Sequence, residues 1–505
     1  MLQENSTGNR MKDVDLTYWH KLLDSHNGDT MKFCYQCGIC SSVCPISRYI
    51  GSYRPNRIIE LAKLGIRNTL QSNAFLFCSA CTLCTKGCPQ NVRVHEIMQA
   101  LKDQAATDDD VKAYITESFG GVIEALGKEI PFPVSYSWIC LRPQSGLSPH
   151  GSFEPLCESN SAYDGLIRDA LEKARKALPP QAEAPGPDAR RVAIIGSGPA
   201  GLTAAWELAK AGFAVTVYES QPVPGGMLRT GIPGYRLPKD IVDAEIEGVK
   251  AAGVRILTGV AVDSALFDEL AGSGDLAAGE YAAIFIATGM PLSRRLNVPG
   301  EDLKGVIPAL DFLNEYNTTG KAAVGKNVVV IGGGNVAIDS AGAALRCGAE
   351  SVKLLYRRDR KQMPAHDWEI EEALAEGVEL HTQWWPRAFH GDGERVTGAE
   401  FVFCKSVTSR GGRLEPVFDE SKTMTVEADT VIVAAGQAPE LSFLSDDVEV
   451  HRGFIQADPY TMETSITNVY AGGDAISGAV GGAASLVEAI ACGKTAAKSI
   501  LSGMS

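Results

Sequence analysis

The sequence predicts a multidomain protein with an all-α N-terminal domain and an α/β part made of two dinucleotide-binding domains. Three observations predict it. Residues 34–45 and 78–89 repeat one cysteine pattern, C-x2-C-x2-C-x3-C-P. From Val192 to Glu219 an apolar strand, a glycine-rich turn, a helix pattern and a second strand ending on an acid follow in register. A second strand, glycine turn and helix begin at Val328, and the strand after them ends on two arginines. A length of 505 residues suits this plan, at roughly 150 residues per domain.

Composition narrows the class. The net charge of −14 argues against nucleic acid as a partner. The polar start, MLQENSTGNRMKDVDL, lacks the apolar core of a signal peptide. No apolar run reaches the roughly 18 residues of a membrane span, so a cytoplasmic protein is expected. Thirteen cysteines are too few for a disulfide scaffold in this length, and eight of them sit in the two tight runs.

Those runs are Cys34, Cys37, Cys40 and Cys44, followed by Pro45, and Cys78, Cys81, Cys84 and Cys88, followed by Pro89. The spacing is that of two 4Fe–4S clusters. Three thiolates two residues apart can wrap one cube, while the fourth, held beside a proline, points to the neighbouring cube. One cluster then takes Cys34, Cys37, Cys40 and Cys88, and the other takes Cys78, Cys81, Cys84 and Cys44. Zinc is the alternative, since C-x2-C pairs also suit a tetrahedral ion, but zinc needs only two pairs and leaves the prolines unexplained. Between the runs, Ile58, Leu61, Ala62 and Leu64 have helical spacing and Gly65 can end the helix; Val94 to Leu101 also reads as helix.

Clusters held between helices suit an all-α ferredoxin-like domain. The strings FCYQCGICSSVCP, YRPNRIIELAKLG and FLFCSACTLCTKGCPQNVRV resemble the C-subunit of heterodisulfide reductases over residues 30 to 105, and that resemblance implies electron carriage. The domain is placed at 30–110. A helical connector and linker at 111–190 follows, with helices expected at Ile115 to Leu126 and Gly165 to Leu178 and a Pro/Ala-rich linker at 178–190. Cys140 and Cys157 resemble the cysteine-bearing segment before the flavin fold of glutamate synthase small subunits. Its four-cysteine pattern is incomplete here, so both read as structural.

In the first glycine turn, Gly196 allows the tight bend, Gly198 lets a pyrophosphate approach the backbone, and Gly201 lets helix and strand pack closely. The helix opens at Pro199 and Ala200, where free N–H groups and a positive dipole end face phosphates. Glu219 can accept from ribose hydroxyls. The next string, Pro224-Gly225-Gly226-Met227-Leu228-Arg229 through Tyr235-Arg236-Leu237-Pro238, resembles the glutamate synthase small-subunit family and the flavin portion of dihydropyrimidine dehydrogenase. That resemblance implies an FAD/NAD(P)-binding Rossmann-like flavoprotein. In it Gly226, Met227, Leu228 and Arg236 belong to the FAD site. A strand from Tyr281 to Ala287, with Thr288 and Gly289 at its end, marks the crossing into the nicotinamide domain.

The second turn holds Gly332 and Gly334, then Asn335, Val336 and Ala337 at the helix start, with alanine in the third glycine's place. The strand from Ser351 to Tyr356 leads to Arg357 and Arg358. A carboxylate there would repel a 2′-phosphate, whereas a guanidinium can bind one with two hydrogen bonds, so this half is expected to prefer NADP(H). Val431 to Gly436 is the return crossing. In the resembled family Gly473 and Asp474 meet the flavin ribityl chain, and the helix after them, Ala484 to Ala497, aims its N-terminus at the flavin ring, where its dipole favours negative charge. The FAD-binding domain is therefore expected at 191–290 and 437–505, with the NADP(H)-binding domain, 291–436, inserted.

Absences sharpen the reading. Residues 191–505 contain no C-x-x-C, so disulfide reductase chemistry is not expected; Cys347, Cys404 and Cys492 stand alone, and His95 and His366 read as surface residues. No glutaminase cysteine or synthase barrel is present. The expected function is an electron-transfer flavoprotein subunit that moves electrons between NADPH, FAD, two 4Fe–4S clusters and other redox subunits of a multi-subunit enzyme. Flavin stands between because it exchanges electrons in pairs and singly, and no protein acid or base is needed for hydride transfer. The alternatives are the NADP(H)-side subunit of a flavin-based bifurcating complex, and a non-catalytic redox sensor or assembly module.

Overall fold

The computed structural model describes residues 14–107, 126–136 and 185–504, apart from 26, 51–52, 68, 70–73, 79–80, 187, 273–279, 411–412 and 477–484. Cys140, Cys157, the helix expected at Gly165–Leu178, all but the last residue of the one expected at Ile115–Leu126, and residues 178–184 and 187 of the expected linker lie outside the described residues.

The N-terminal part is helical: α1 (Leu16–Asp24), α2 (Ile39–Ser42), α3 (Pro45–Tyr49), α4 (Pro55–Lys63), α5 (Leu83–Lys86) and α6 (Val94–Thr107). Asp15 caps α1 by accepting from the N–H groups of Thr17 and Tyr18. The cysteine repeat is a structural repeat. Gly38 and Thr82 hold the same left-handed position, at φ +80° and +65°. Each starts a four-residue helix that carries Cys40 or Cys84 and delivers Cys44 or Cys88 just beyond its end. Glycine adopts that backbone freely; threonine does so at a cost. Helix α6 runs six residues past the expected end, because Ile97, Met98, Leu101 and Ala105 continue one buried face.

The first α/β module holds β1 (Arg191–Ile195), α7 (Pro199–Lys210), β2 (Ala214–Glu219), α8 (Met227–Thr230), α9 (Lys239–Ala251), β3 (Arg255–Thr258) and β4 (Ala283–Ile286). The second holds β5 (Val306–Pro308), α10 (Ala309–Thr319), β6 (Asn327–Ile331), α11 (Asn335–Arg346), β7 (Ser351–Tyr356), α12 (Asp367–Ala375) and β8 (Glu379–Thr382). An antiparallel meander follows, β9 (Trp384–Gly391), β10 (Val396–Arg410) and β11 (Arg413–Glu427), and then β12 (Thr430–Val433). The chain closes with β13 (Val469–Ala471) and α13 (Leu486–Gly503). Both larger sheets are parallel, in orders β13-β4-β1-β2-β3 and β5-β12-β6-β7-β8. The first sheet thus takes its edge strand β13 from beyond the whole second module. The strand expected over Tyr281–Ala287 is shorter, and α13 starts at Leu486, where the Ser485 side chain caps it.

One continuous core runs from α1 through the cysteine-bearing helices into the first sheet and α13. Phe132 and Tyr136 are fully buried in it, and the Tyr136 hydroxyl donates to the Phe77 carbonyl at 2.8 Å. Arg48 on α3 pairs with Glu488 on α13 at 3.2 Å. The second module has two cores of its own, one for its sheet and helices and one under the meander.

Candidate cofactor sites

The first site lies at the carboxyl ends of β1 and β4, where a parallel sheet leaves its crevice. Gly196, at φ +102°, brings the turn against the Ala287 carbonyl: an added Cβ would sit 2.5 Å from that oxygen. At Gly201 a Cβ would fall 2.1 Å from the Gly196 carbonyl, so helix and loop touch there. At Gly198 a Cβ would meet nothing within 4 Å. The space over the loop is open at the one glycine meant to face a pyrophosphate, and Pro199 and Ala200 open α7 beside it.

The neighbouring loop completes a cradle. Gly226, at φ +54°, would place a Cβ 2.8 Å from the Gly198 Cα, so the strand of residues running into Met227 and Leu228 lies directly against the phosphate loop. Glu219 is buried at the end of β2, and its carboxylate accepts from the Ser197 N–H at 2.9 Å, the Ser197 hydroxyl and the Gln221 N–H at 2.7 Å. The Ser197 hydroxyl oxygen also accepts from the Gly225 N–H at 3.0 Å. Ser197 thereby ties the two loops to the acid, a role sequence reasoning missed because the position is a free one in the glycine pattern. The Thr288 hydroxyl is buried without a partner among the described residues, a group that a ligand in this crevice could satisfy. Asp474 follows Gly473 at the end of β13, and burial, then Glu488, pushes its carboxyl up to about 6. Another missed residue is Gly493 on α13: a Cβ there would fall 2.3 Å from the Ala200 carbonyl, so α13 can press against the start of α7 only as glycine.

The second site repeats the geometry at the end of β6. Gly332 faces the Ala434 carbonyl, Gly334 precedes α11, and Asn335, Val336 and Ala337 form its first turn. Arg357 and Arg358 stand half-buried past β7. The Arg357 guanidinium lies over the Trp385 ring at 5.1 Å, and burial, then Arg358, lowers its pKa. Neither arginine pairs with a described carboxylate. Two adjacent cations held without a counter-charge suit an added anion.

Arg236 is placed otherwise than expected. Its guanidinium leaves the first site and crosses to the second module, where it donates to Asp339 on α11 and, at 3.0 Å, to Glu372 on α12, with Glu369 at 3.8 Å. The physical reason is charge. Asp339 and Glu369 are buried, and burial raises both carboxyls, Glu369 to about 8. Arg236 is the cation that offsets them, and burial, which alone would lower its own pKa, is outweighed by the acids around it. Lys239 stands at the same seam, its pKa pushed down by burial to about 7. His95 also differs from its expected surface place: it is half-buried, with Nδ1 at 2.8 Å from the Thr85 hydroxyl.

The eight cysteines fall into two groups. Cys34, Cys37, Cys40 and Cys88 line one small recess, with Asn56 and Ile59 behind them. Burial, then the charges of Cys34, Cys37 and Cys88, pushes the Cys40 thiol up to about 11. Cys84 is raised by burial and then by Cys78, Cys81 and Cys44. So each run's fourth cysteine sits with the other run's first three. Among the described residues no three His, Cys, Asp or Glu side chains are grouped to hold a single metal ion. Lys63 donates to the Cys34 carbonyl at 2.8 Å and the fully buried Lys102 to the Cys78 carbonyl at 2.6 Å, one cation beside each group.

Residues 190–493 match the pyridine nucleotide-disulphide oxidoreductase family, and residues 33–93 match a 4Fe–4S dicluster domain. FAD and NADP(H) are the cofactors of the first, and two 4Fe–4S clusters those of the second. The NADP(+)-dependent formate dehydrogenase subunit beta of Moorella thermoacetica is 45% identical over 318 residues, 62% of this chain and 43% of its own length. The NADPH-Fe(3+) oxidoreductase subunit beta of Geobacter sulfurreducens is 33% identical over 433 residues, 82% of this chain and 59% of its own. The chain therefore spans less than two thirds of these relatives. The glutamate synthase small chain of Azospirillum brasilense is 38% identical over 327 residues, 61% of this chain and 65% of its own. Among solved structures, the thioredoxin reductase of Lactococcus lactis aligns with 62% of this chain and 98% of its own, at 22% identity and a TM-score of 0.48. Among the described residues no helix is long and apolar enough to cross a membrane.

Proposed function

Because the chain belongs to the pyridine nucleotide-disulphide oxidoreductase family, we propose that it is the NADPH-linked subunit of a larger redox enzyme, passing electrons between NADPH and a partner through FAD and two clusters. Relatives named as beta subunits and small chains support the subunit reading. The observation that carries the proposal is the continuous core joining the cysteine-bearing helices to the first α/β module. Such a core would hold the cluster ligands and the flavin cradle against each other.

Each part of the chain has a task in this reading. Gly196, Gly198, Gly201 and the start of α7 would take the flavin pyrophosphate. Gly226, Met227, Leu228, Thr288, Gly289, Gly473 and Asp474 would line the rest of the flavin, and Glu219 with Ser197 would shape the ribose end. Gly332, Gly334 and the first turn of α11 would hold the nicotinamide cofactor, with Arg357 and Arg358 on its 2′-phosphate. Bound FAD supplies the one chemical ability no side chain has, exchange of electrons both in pairs and singly. The group of Cys44, Cys78, Cys81 and Cys84 is the inner one, because α3 follows Cys44 directly and packs on α13 through Arg48 and Glu488. The group of Cys34, Cys37, Cys40 and Cys88 is then the outer one.

Anaerobic titration of the purified holoprotein with NADPH tests the proposal. Close to eight irons and one FAD per chain are expected, with the flavin absorbance bleached first and cluster signals in electron paramagnetic resonance next. Reduction by NADH in preference to NADPH, or zinc without acid-labile sulfide, would overturn it. A protein that bound nucleotide without reducing any dye would point to the sensor alternative.

A further inference from the structure

We infer that the outer face of the cluster domain docks an acidic one-electron carrier protein. The inference rests on the reading above that the clusters exchange electrons with a partner, and it names the surface and the charge of that partner. Residues 30–93 hold eight of the chain's 47 lysines and arginines but only one of its 61 aspartates and glutamates. A segment of charge +7 therefore sits in a chain of net −14. That lone acid, Glu60, is paired with Arg57 at 2.7 Å.

The excess collects around the outer cysteine group. Lys32, Lys86 and Arg93 are exposed, and none pairs with a described carboxylate. The Arg93 N–H donates to the Thr30 hydroxyl at 3.1 Å, which sets Arg93 beside the Lys32 loop. An added Cβ on Gly87 would lie 3.6 Å from Ile39, which sets Lys86 beside α2. Within this basic rim, Phe33 and Tyr35 are 61% and 59% exposed, Ile39 is also exposed, and so is Cys37, itself a lining residue of the recess. An exposed acid, Asp29, stands just before the loop. Aromatic residues ringed by charges of one sign are what an interface needs for contact and for steering. Meanwhile the Arg48–Glu488 pair to the first α/β module and the Tyr136–Phe77 contact to the connector come from the other cysteine group's side, and among the described residues no ion pair ties Lys32, Lys86 or Arg93 to that module. A redox protein is favoured over nucleic acid because the basic rim surrounds a cluster ligand in an otherwise acidic chain.

Native and succinylated cytochrome c test this, because they share a haem and carry opposite surface charge. NADPH supplies two electrons, and two haem irons each take one. With holoprotein at low ionic strength, the succinylated form should be reduced about tenfold faster or more, and the difference should vanish by a few tenths molar salt. The triple variant Lys32→Glu/Lys86→Glu/Arg93→Glu should reverse the preference while keeping its iron content and its reduction of menadione, a small neutral acceptor. Faster reduction of native cytochrome c by wild type would overturn the docking surface, as would a variant that kept the wild-type preference and salt dependence. A wild-type protein without iron and sulfide would overturn the cluster reading beneath it, and iron analysis tells the two failures apart. Tight, salt-sensitive binding of a DNA duplex that the triple variant lost, with wild type reducing both cytochrome forms equally fast, would also overturn it.

Discussion

Arg236→Ala is the substitution with the largest expected effect on the α/β part. The guanidinium is about one-tenth exposed and faces Asp339, Glu372 and Glu369, side chains that are 9%, 18% and 8% exposed. Removing it leaves three carboxylates at a buried seam with Lys239 as the nearest remaining cation. Breaking a buried pair by deleting one partner costs about 3–5 kcal/mol, so the melting temperature should drop by roughly 5–10 °C. The seam joins residues after the flavin-side loop to α11 and α12, so the loss also frees one module relative to the other. Hydride transfer needs reacting atoms within about 3.5 Å. Stopped-flow flavin reduction by NADPH should therefore slow by ten- to a hundredfold while FAD content stays near one per chain. Arg236→Lys should recover part of the stability, since a point charge remains but the forked contact does not. If the variant lost FAD and kept its melting temperature and its seam, the guanidinium would be a flavin ligand and this reasoning would be wrong.

Three further outcomes are expected. Arg357→Ala/Arg358→Ala should raise the NADPH Michaelis constant by roughly one to three orders of magnitude, from charge-assisted hydrogen bonds of about 1.5–3 kcal/mol each, and leave NADH kinetics nearly unchanged; an equal loss with both nucleotides counts against the assignment. Glu369 has its carboxyl raised to about 8 by burial, so its contribution to stability is present below the unfolded value near 4.5 and is lost as pH rises through the folded one. Denaturation of wild type against Glu369→Gln should show wild type losing up to about 1.4 kcal/mol per pH unit between roughly pH 5 and 8, and parallel curves would refute it. Lys102→Met removes a buried cation beside the Cys78 carbonyl; a neighbouring unit charge at an effective dielectric near 20 is worth on the order of 100 mV, so redox titration should find one of the two clusters shifted down by that order and the other unmoved.

What the sequence made legible follows from what its patterns encode. The glycines at 196, 198, 201, 332 and 334 could be read because each answers a local demand of backbone geometry, and the paired strand and helix patterns around them are local too. The grouping of each fourth cysteine with the other run's first three was legible because reach along the chain limits which thiols can meet. Arg236 was misplaced for the opposite reason. Its partners, Asp339, Glu369 and Glu372, are more than 100 residues away in sequence, and nothing local distinguishes an arginine bound for a cofactor from one bound for a seam. Ser197 and Gly493 were missed for a like reason, since each acts through residues distant in the chain, Ser197 through Glu219 and Gly225 and Gly493 through Ala200. The meander of β9, β10 and β11 did leave a signal, the Asp392-Gly393 turn between stretches rich in aromatic and β-branched residues.

The distribution of cores fits the two kinds of transfer proposed. An electron passing between flavin and cluster depends on a separation that must hold between turnovers, and that boundary is sealed with apolar packing: Phe132 and Tyr136 are buried where the cysteine-bearing helices meet the first module. A hydride donor must arrive, align and leave, and the boundary it uses is built differently. The second module keeps separate cores and meets the first through Arg236, Asp339 and their neighbours, a buried polar seam whose strength depends on geometry more than on area. Apolar contact degrades gradually as surfaces slide, whereas a forked arginine bond is made in one register and lost in others. A seam of this kind favours one alignment of the nicotinamide module without welding it to the flavin module. That is the mechanical requirement of a donor that must come and go beside a relay that must not move.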